Sequence, residues 1–317
     1  LVVCFLSFPS RRGWSSGLYA PGRGVLALSR AGASIAGGDS LQTIWYNPAN
    51  LVEMTGFSIL LDLGLVNHHA EFQRADRVGE SGETIVYAPV KNEAPPLPDP
   101  SFLLGYGWKK QRLTVAFGFY APYAGSLKFP DTGAQRYSLI DMSSSLFAIT
   151  HLAVGWAPHK RFRVGAGIQN YTVMINLQAA VSTYLGVFGR PESPDLDAYT
   201  EASLSALFNL SANFGLWGRV LDLRILKVDI AASVQLPVDI RASGEVKVRL
   251  PTHALFDSVT QEGNKIKSSF YLPLIVRAAV RATFFNRFNL EAAYVFEGWS
   301  SHDVIGLSPA EANGIWM

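Results

Sequence analysis

Residues 272–296 decide the fold, and they read LPLIVRAAVRATFFNRFNLEAAYVF. Every even-numbered position from 272 to 284 and from 288 to 296 carries an apolar residue, whereas Arg277, Arg281 and Glu291 fall on odd-numbered positions. A period of two residues is that of a β-strand whose two faces differ. Residues 285–287 are short enough to form a hairpin turn. The segment therefore predicts two antiparallel strands with one apolar face and one more polar face.

The same alternation recurs upstream of this hairpin. It is clear in residues 162–168, 204–216 and 226–238 and weaker near residues 57–66, 101–108, 113–120 and 145–156. Several runs alternate over about ten residues, the length that a tilted strand needs to cross a bilayer, whereas strands of globular proteins average about five or six. We therefore predict an all-β fold of about nine antiparallel strands that forms a transmembrane β-barrel of the bacterial outer membrane.

The connections between the predicted strands alternate in length. Short turns occur near residues 109–111, 158–160, 217–225 and 285–287, and long loops near residues 67–100, 121–144, 179–202 and 249–269. Transmembrane barrels have short periplasmic turns and long extracellular loops. A soluble sandwich would show the same alternation within its strands, so the loop lengths are what favour the barrel.

The composition excludes several other classes of protein. Of the 317 residues, 49% are hydrophobic and only 16% are charged, against a norm of about 25% charged. Such a chain is too apolar for a disordered protein, a coiled coil or a highly charged nucleic-acid-binding protein. It nevertheless contains no apolar run of about 18 residues, which a membrane-spanning helix requires. Its single cysteine, Cys4, excludes an internal disulfide framework and a cysteine-based zinc site.

Two segments precede the predicted barrel of residues 55–317. Residues 1–15 resemble the remnant of a secretory signal peptide, and the alternative is a short strand or a disordered end. Residues 16–54 include a run rich in small residues and do not alternate, and Asn47-Pro48-Ala49 marks a turn. We expect residues 16–54 to fill the lumen as a plug, and the alternative is a flexible periplasmic tail.

Three motifs occur in order along the chain. The first is the run of residues 22–49, which ends in Asn47-Pro48-Ala49. The second is residues 117–127, FGFYAPYAGSL, followed by Arg136-Tyr137, and the third is Leu272-Pro273 with residues 290–294 and 299–300. Together they resemble the FadL-type outer-membrane transporters of long-chain fatty acids and aromatic hydrocarbons, and the first motif is similar to that family's N-terminal hatch. The resemblance implies a fourteen-stranded barrel whose lumen is plugged by the hatch. With about nine strands, this chain is then expected to be a C-terminally truncated part of such a barrel.

Residues 122–125 interrupt the third long strand that the alternation predicts. Pro122 cannot donate a hydrogen bond to a neighbouring strand, and Gly125 weakens a strand interior. Taken alone, this pattern indicates that the strand ends at Tyr120 and that a loop follows. The resemblance implies instead an inward kink that opens the barrel wall, so that a ligand leaves sideways into the outer membrane. The residues of that kink are Pro122, Tyr123, Ala124 and Gly125.

Two long loops carry apolar side chains that suit the capture of a hydrophobic ligand. They are Tyr184, Leu185, Val187 and Phe188 in one loop and Leu255, Phe256 and Val259 in the other. Exposed apolar clusters on loops often mark binding sites, and the resemblance implies that such loops collect ligand from outside. The alternative is that the loop side chains pack against one another.

Arg277 and Arg281 share the polar face of their predicted strand, about 13 Å apart. Either guanidinium group suits the carboxylate head group of a fatty acid, which it would bind with two parallel hydrogen bonds. Both arginines are equally suited to pair with Glu291 and Glu297 on the adjacent strand. The residues alone leave both interpretations open, and the second is the simpler one.

The sequence offers no catalytic constellation. The six histidines are scattered, and only His151 lies near serines, at residues 143–145, without a supporting spacing. We therefore predict no enzyme, no metal site, no cofactor and no nucleic-acid partner. The predicted function is passive uptake of hydrophobic compounds by a monomeric outer-membrane barrel, whose partners are its ligand and the surrounding lipid. The alternative is a barrel that transports nothing and serves as an assembly or scaffold protein.

Overall fold

The computed structural model describes residues 24–309, except residues 39, 80, 125, 185, 187–188, 190–191, 252, 260–262 and 302–305. The predicted signal remnant, residues 1–15, lies outside the described residues. So do Cys4 and the first part of the predicted plug, residues 16–23.

Sixteen β-strands and two short α-helices are present in this part of the chain. The strands are β1 (Gly56–Val66), β2 (Glu71–Phe72), β3 (Arg77–Val78), β4 (Thr84–Ile85), β5 (Val90–Lys91), β6 (Leu97–Trp108), β7 (Leu113–Ala124), β8 (Leu146–His159), β9 (Phe162–Ser182), β10 (Asp197–Asp222), β11 (Leu226–Gln235), β12 (Val238–Arg249), β13 (Lys265–Leu272), β14 (Ile275–Phe284), β15 (Phe288–Glu297) and β16 (Gly306–Pro309). The helices are α1 (Val25–Ser29) and α2 (Thr43–Tyr46), and 3-10 turns occur at Pro48–Glu53, Pro194–Leu196, Ala254–Phe256 and Trp299–Ser301. None of the described helices is long and apolar enough to cross a membrane.

Twelve of the strands form one antiparallel sheet. Its order is β1-β6-β7-β8-β9-β10-β11-β14-β15, with β12 between β10 and β13 and with β16 beside β13. The loop between β1 and β6 contains two separate pairs, β2 with β5 and β3 with β4. Within the described residues β1 pairs only with β6 and β15 only with β14, so the sheet is not closed there. The predicted all-β antiparallel fold is confirmed.

Two of the long strands are interrupted by proline. β12 continues the line of β11 beyond Pro237, and β14 continues that of β13 beyond Pro273. β11 pairs with β14 and β12 with β13 in one register, which places Pro237 opposite Pro273. Since proline has no N–H, neither residue donates to the ladder at this level. Counting β11–β12, β13–β14 and β15–β16 each once gives nine long strands among the described residues, as the alternation predicts.

Several predicted loops are shorter than expected. β9 runs on to Ser182 and β10 begins at Asp197, so that the loop predicted near residues 179–202 covers only residues 183–196. β12 and β13 similarly occupy both ends of the loop predicted near residues 249–269, and β6 begins inside residues 67–100. The sequence missed these strand ends because polar or proline residues occupy them, while the backbone pairing continues.

The two faces of the sheet differ in exposure. In β1 the residues Phe57, Ile59, Leu61, Leu63 and Leu65 are each more than half exposed, and the residues between them are partly buried. We call the face that carries such exposed apolar residues the outer face and the opposite one the inner face.

The apolar residues of the long strands do not keep to one face. In β10 the even-numbered residues are buried up to Ala206, and beyond it the odd-numbered residues from Asn209 onward are buried instead. The same switch occurs at Pro237 between β11 and β12 and at Pro273 between β13 and β14. The apolar set therefore faces inward in the loop-side part of these strands and outward in the rest. This corrects the prediction of a single apolar face, because the extra residue of a bulge or a proline break rotates the strand by one position.

Residues 24–54 lie against the inner face of the sheet and bond to both of its edges. The side-chain nitrogen of Gln42 donates to Asp62 of β1 at 3.0 Å. The N–H groups of Ile35-Ala36 donate to Glu291 of β15 at 2.8 and 2.9 Å. Because one short segment bonds to the first and the last long strand, the sheet must curve around it.

A row of small residues crosses six neighbouring strands beneath this segment. Cross-strand pairing joins its members in the order Gly107, Thr114, Gly155, Gly165, Gly215 and Ser233. We call these six residues the small-residue row. A Cβ atom on Gly165 would lie 2.3 Å from the backbone nitrogen of Ala49, and one on Gly155 would lie 2.7 Å from the carbonyl oxygen of Pro48. The segment therefore lies so close to the sheet that a side chain has no room at these positions.

We expect Gly165→Ala to displace residues 24–54 from the sheet. The three atoms nearest to the new methyl group belong to the backbone of Pro48 and Ala49, which has no rotamer to move to. The measurement is the rate of limited proteolysis within the segment, which should rise several-fold. Gly218→Ala in β10 is the matched control, since the nearest atom to its Cβ, the carbonyl oxygen of Arg161, lies 3.8 Å away. Equal cleavage rates in both variants would contradict the close approach.

Candidate functional site

Asn47 joins the N-terminal segment to the sheet. It is fully buried, and its Nδ2 donates to the carbonyl oxygens of Ile35 and Leu216, each at 3.0 Å. Its Oδ1 accepts a hydrogen bond from the N–H of Ala49 at 3.1 Å, which caps the 3-10 turn that begins at Pro48. The Asn-Pro-Ala motif is thus a turn whose side chain also binds the backbone of β10.

Inner-face side chains satisfy further backbone groups of the segment. Four such hydrogen bonds reach carbonyl oxygens of the segment: Trp217 donates to Ala36, Asn213 to Ile44, Ser233 to Tyr46 and Thr114 to Met54. A buried backbone group left without a partner costs about 1–3 kcal/mol. These hydrogen bonds therefore hold the segment in one position along the small-residue row.

Arg277 is buried between the segment and the sheet. It is 2% exposed, and its guanidinium carbon lies 5.0 Å from the centre of the Trp45 ring. Its Nη2 donates to Gln235 at 3.4 Å, and its Nη1 has no hydrogen-bond partner within the described residues. The charge is therefore stabilised by the aromatic ring and an amide, and no carboxylate of the described chain pairs with it.

Arg281 and the two glutamates occupy different surroundings. Arg281 is the cross-strand partner of Glu291 and lies so close to Gly37 that a Cβ there would be 2.0 Å from its Nη1. Glu291 accepts from the segment's backbone, whereas Glu297 accepts from the indole of Trp299 at 2.6 Å. The sequence left open that both arginines pair with glutamates on the adjacent strand. Cross-strand register places only Arg281 opposite a glutamate, Glu291, and it does not do so for Arg277.

A layer of polar side chains crosses the inner face next to the segment. The hydroxyl of Tyr120 lies 2.6 Å from Nδ1 of His151, whose Nε2 lies 3.0 Å from Oδ1 of Asn213. Beside them, Gln235 donates to the hydroxyl of Tyr171 at 2.7 Å, and that hydroxyl donates to Gln169 at 3.3 Å. We call these six residues the polar layer. The sequence missed it because its members come from five strands that are distant in the chain.

His151 is not close to the serines that the sequence placed near it. Ser143 donates to Asp141 at 2.7 Å, and Ser145 donates to the carbonyl oxygen of Asn176 at 3.2 Å. The described residues also contain no group of three side chains that would hold a metal ion. His151 serves here as a hydrogen-bond partner within the polar layer.

An apolar cluster fills the inner face on the loop side of the polar layer. Its largest members are Tyr123, Phe147, Ile149, Ile240 and Phe270, all of which are buried. The rings of Phe147 and Phe270 meet edge to face with centroids 6.1 Å apart, and those of Tyr123 and Phe147 lie 6.5 Å apart. Since β8 and β13 are not neighbours in the sheet, the first contact crosses the interior. We call the part of the interior that these side chains fill the apolar chamber.

The predicted kink falls at an irregular part of β7. Pairing of β6 with β7 ends at Ser101 opposite Tyr120, and the register between β7 and β8 shifts between Tyr120 and Tyr123. The strand nevertheless continues through Pro122 to Ala124, so the expectation that it ends at Tyr120 is wrong. Tyr123 points into the apolar chamber, and Gly125 lies outside the described residues.

The predicted capture residues are only partly described. Leu185, Val187 and Phe188 lie outside the described residues. Leu255 and Phe256 form part of the 3-10 turn Ala254–Phe256, and the N–H of Val259 donates to the carbonyl oxygen of Phe256 at 3.0 Å. Tyr184, Phe256 and Val259 are each partly buried. Their role in binding stays a prediction.

A buried ion pair holds the loop after β7 against the start of β10. Nε of Arg136 donates to Asp197 at 2.6 Å, and the hydroxyl of Tyr137 donates to the same carboxylate at 2.8 Å. Arg136 also donates to the carbonyl oxygen of Glu192 at 2.6 Å. The Arg-Tyr motif therefore fixes loops. Burial, together with the bond to Asp197, raises the pKa of Tyr137 to about 12.

Glu192 joins a third loop to this arrangement. Its carboxylate accepts from Arg74 at 2.7 Å, from Arg77 at 3.2 Å and from the hydroxyl of Tyr87 at 2.7 Å. Burial on its own would raise the pKa of Glu192, but the Tyr87 hydroxyl and the two arginines outweigh it and hold the pKa below its usual value. The sequence did not reveal these partners because more than 100 residues separate them from Glu192.

We expect acid to loosen the loop that contains β3 and β4. A carboxylate with a lowered pKa stabilises the folded form above its usual pKa of 4.5, and this contribution is lost as the pH falls through the lowered value. A spin label on a cysteine at Thr84 should therefore become more mobile below about pH 4.5. In Glu192→Gln the label should be mobile at every pH. A label that is equally immobile in both proteins would show that Glu192 does not hold the loop.

The sequence matches no protein-family model and no curated protein, but solved structures match the fold. A Pseudomonas aeruginosa FadL homologue superposes with a TM-score of 0.67 at 11% identity, covering 93% of this chain and 72% of that one. The Ralstonia pickettii toluene transporter TbuX gives 0.65 at 15% identity, covering 93% and 77%. The Pseudomonas putida toluene transporter TodX gives 0.65 at 14%, covering 95% and 76%.

TM-scores of 0.65–0.67 establish a common fold, whereas identities of 11–15% leave activity open. The expected resemblance to the FadL-type proteins is thereby confirmed at the level of the fold. This chain has the fold of the FadL-type proteins.

Proposed function

We propose that this protein is an outer-membrane channel for the passive uptake of hydrophobic compounds, such as long-chain fatty acids or related hydrocarbons. The observation that carries the proposal is the apolar chamber, which lies between the N-terminal segment and the loops. Two solved proteins with the same fold, TbuX and TodX, are toluene transporters, which supports the substrate class.

The outer face suits contact with lipid. Its exposed apolar side chains include Leu61, Leu152, Phe208, Leu210 and Leu290, each more than half exposed. In hydrocarbon every backbone N–H and C=O needs an internal partner, and a continuous antiparallel sheet provides one for most of them. On this proposal the protein is a monomer embedded in outer-membrane lipid, and the outer face is in contact with the acyl chains.

Residues 16–54 act as the hatch in this proposal. The described part of the segment lies across the inner face next to the polar layer, so it separates the apolar chamber from the opposite end of the strands. Its backbone is held by inner-face side chains rather than by strand pairing. Such a segment prevents water and small solutes from crossing while the chamber remains accessible from the loop side.

The ligand path runs from the loops to the chamber and out through the wall. The capture loops, with Tyr184 and Phe256, collect ligand from outside, and aromatic side chains around Phe147 receive it. It leaves at the kink of Pro122 and Tyr123, where pairing between β6 and β7 has ended. No energy source is needed, because each CH₂ group that passes from water into an apolar environment gains about 0.8 kcal/mol.

Arg277 is the better candidate for binding an anionic head group. Its Nη1 is a buried donor without a partner in the described chain, and Gln169 of the polar layer has a similarly unpartnered Nε2. Both groups donate, so they suit the oxygen atoms of a carboxylate. Arg281 is less suited, because it lies against the segment beside Glu291. A fatty acid would then lie with its head at the polar layer and its tail in the chamber.

The competing proposal is a barrel that transports nothing and holds partners for assembly. The feature that disfavours it is the apolar chamber, because a scaffold has no need of a buried aromatic cluster beside irregular wall positions. The two proposals differ in a single measurable property, the flux of hydrophobic ligand across a membrane.

We expect purified protein to accelerate the uptake of oleate or toluene into liposomes. A fluorescent fatty-acid-binding protein trapped inside the liposomes reports oleate, and extraction with gas chromatography reports toluene. Liposomes without protein and liposomes with heat-inactivated protein are the controls. Uptake at the same rate in all three samples would exclude the channel and favour the scaffold.

We expect uptake to fall several-fold when the kink is replaced by regular strand residues, Pro122→Val with Gly125→Thr. Both changes permit ordinary ladder pairing and close the opening beside β6. Pro158→Val near the end of β8 is the control, since it also removes a proline where the cross-strand register shifts, here between Trp156 and His159. If uptake survives in the kink variant, ligand does not leave at this part of the wall.

A further inference from the structure

The wall contains a second and longer interruption, between β10 and the interrupted strand β11–β12. Pairing of β10 with β11 ends at Asn213 opposite Gln235, and pairing of β10 with β12 begins at Ser205 opposite Ser243. Both parts follow the same register, so residues 206–212 face residues 236–242 without a cross-strand pair. At about 3.3 Å per residue, this stretch of seven residues is about 23 Å long. We call it the β10–β12 gap.

The length of the gap follows from two changes of face at different levels. β9 and β10 also change register here, and their pairing resumes at once, from Ala206 to Asn209. β11–β12 and β13–β14 change face at Pro237 and Pro273, and their pairing omits only residues 236–237 and 273–274. Rotating a strand by one position therefore needs about two residues when both strands change face at one level. At the gap, β10 changes face at Leu207-Phe208, opposite residues 240–241, and β11–β12 changes face at Pro237, opposite Ser211, so the two strands are out of phase between these levels and do not pair.

The outer face identifies the level of the gap relative to a membrane. On the side away from the loops the outward residues are apolar, as at Leu210, which is 69% exposed. On the loop side they are charged, as at Arg241, which is 82% exposed at its side chain and pairs with Asp239 at 2.7 Å. The gap lies where apolar outward residues give way to charged ones, which on the proposed function is the boundary between the acyl chains and the head groups. There water can reach unpaired backbone groups, which would be costly in hydrocarbon.

Hydrogen bonds and small residues border the gap. Ser211 donates to the carbonyl oxygen of Leu236 at 2.8 Å, and the N–H of Leu236 donates to the carbonyl oxygen of Ala212. These two bonds close the end of the gap that is farther from the loops. Asn209 turns away to the carbonyl oxygens of Tyr171 and Ala206. On the inner side the gap is bordered by Ala206 and Ala242, which are buried and belong to the cluster that includes the apolar chamber.

Phe208 marks the outer side of the gap. It belongs to the bulge of β10 and is 86% exposed, more than any other large apolar residue on the outer face of the described strands. Leu207, its neighbour in the bulge, is also exposed, so that two consecutive apolar side chains point outward at the edge of the opening. An apolar molecule in the outer leaflet therefore meets an apolar surface directly beside the gap.

We propose that the β10–β12 gap is a second lateral port, through which apolar ligand passes directly between the outer leaflet and the apolar chamber. The proposal rests on the channel function proposed above and adds a route that bypasses the capture loops. It applies to neutral hydrocarbons already dissolved in the lipid, which reach the gap by diffusion within the membrane. Ligand dissolved in water continues to enter from the loops.

The test closes the gap by a covalent bridge. In Leu207→Cys with Arg241→Cys, both cysteines lie outward on opposite sides of the gap, and a short bis-maleimide joins them. Ser203→Cys with Glu245→Cys is the matched control, because these residues are cross-strand partners on the same two strands and the same face, where the ladder is intact. Cys4 is replaced by Ser in both proteins so that no third thiol reacts.

The measurement is toluene uptake into liposomes, with toluene supplied either in the membrane or in the external water. Bridging the gap should lower the membrane-supplied uptake several-fold and leave the water-supplied uptake unchanged, whereas bridging the control pair should change neither. Unchanged membrane-supplied uptake after complete bridging, in a protein that still transports, would overturn the second port alone. Unbridged protein that transports no faster than empty liposomes would instead overturn the channel function itself.

Discussion

The backbone of the N-terminal segment lies directly against the backbone of the sheet, and the other inner features depend on this contact. Gly155 and Gly165 have no room for a Cβ, and at Gly215 an added Cβ would lie 2.0 Å from Oδ1 of Asn47. Because the segment has no strand partner, its peptide groups need side-chain donors and acceptors, which Asn213, Glu291 and others supply. Polar inner-face side chains therefore lie next to the segment, and the apolar chamber lies on its loop side.

The change of face in the long strands divides the molecule into two zones. Toward the loops the apolar residues of β10, β12 and β13 line the chamber and the outer face is polar, whereas in the rest of the strands the outer face is apolar. One alternating sequence serves both zones, because a bulge in β10 and the paired prolines Pro237 and Pro273 shift it by one position. The bulge and the two prolines thus determine both which residues line the apolar chamber and where the apolar part of the outer face ends.

The sequence predicted the parts of the structure that depend on neighbouring residues. Alternation identified the nine long strands, and the Asn47-Pro48 turn was recognised because proline restricts its own backbone and that of its neighbour. It did not predict the switch of faces at Pro237, since alternation in the sequence continues across that residue. The small-residue row and the contact of Arg74 with Glu192 were also missed. Both depend on cross-strand register and on loops distant in the chain, for which a single sequence carries no local signal.

The two irregular positions of the wall belong to one level of the sheet. Tyr120, Ile149, Tyr171 and Asn209 are successive cross-strand partners from β7 to β10. Tyr120 is the last residue of β7 that pairs with β6, and Asn209 lies within the β10–β12 gap. Ile149 and Tyr171 on the same row belong to the cluster of the chamber. Both losses of pairing therefore lie at the level where the polar layer, which includes Tyr120 and Tyr171, meets the apolar chamber, and openings at this level suit lateral exchange.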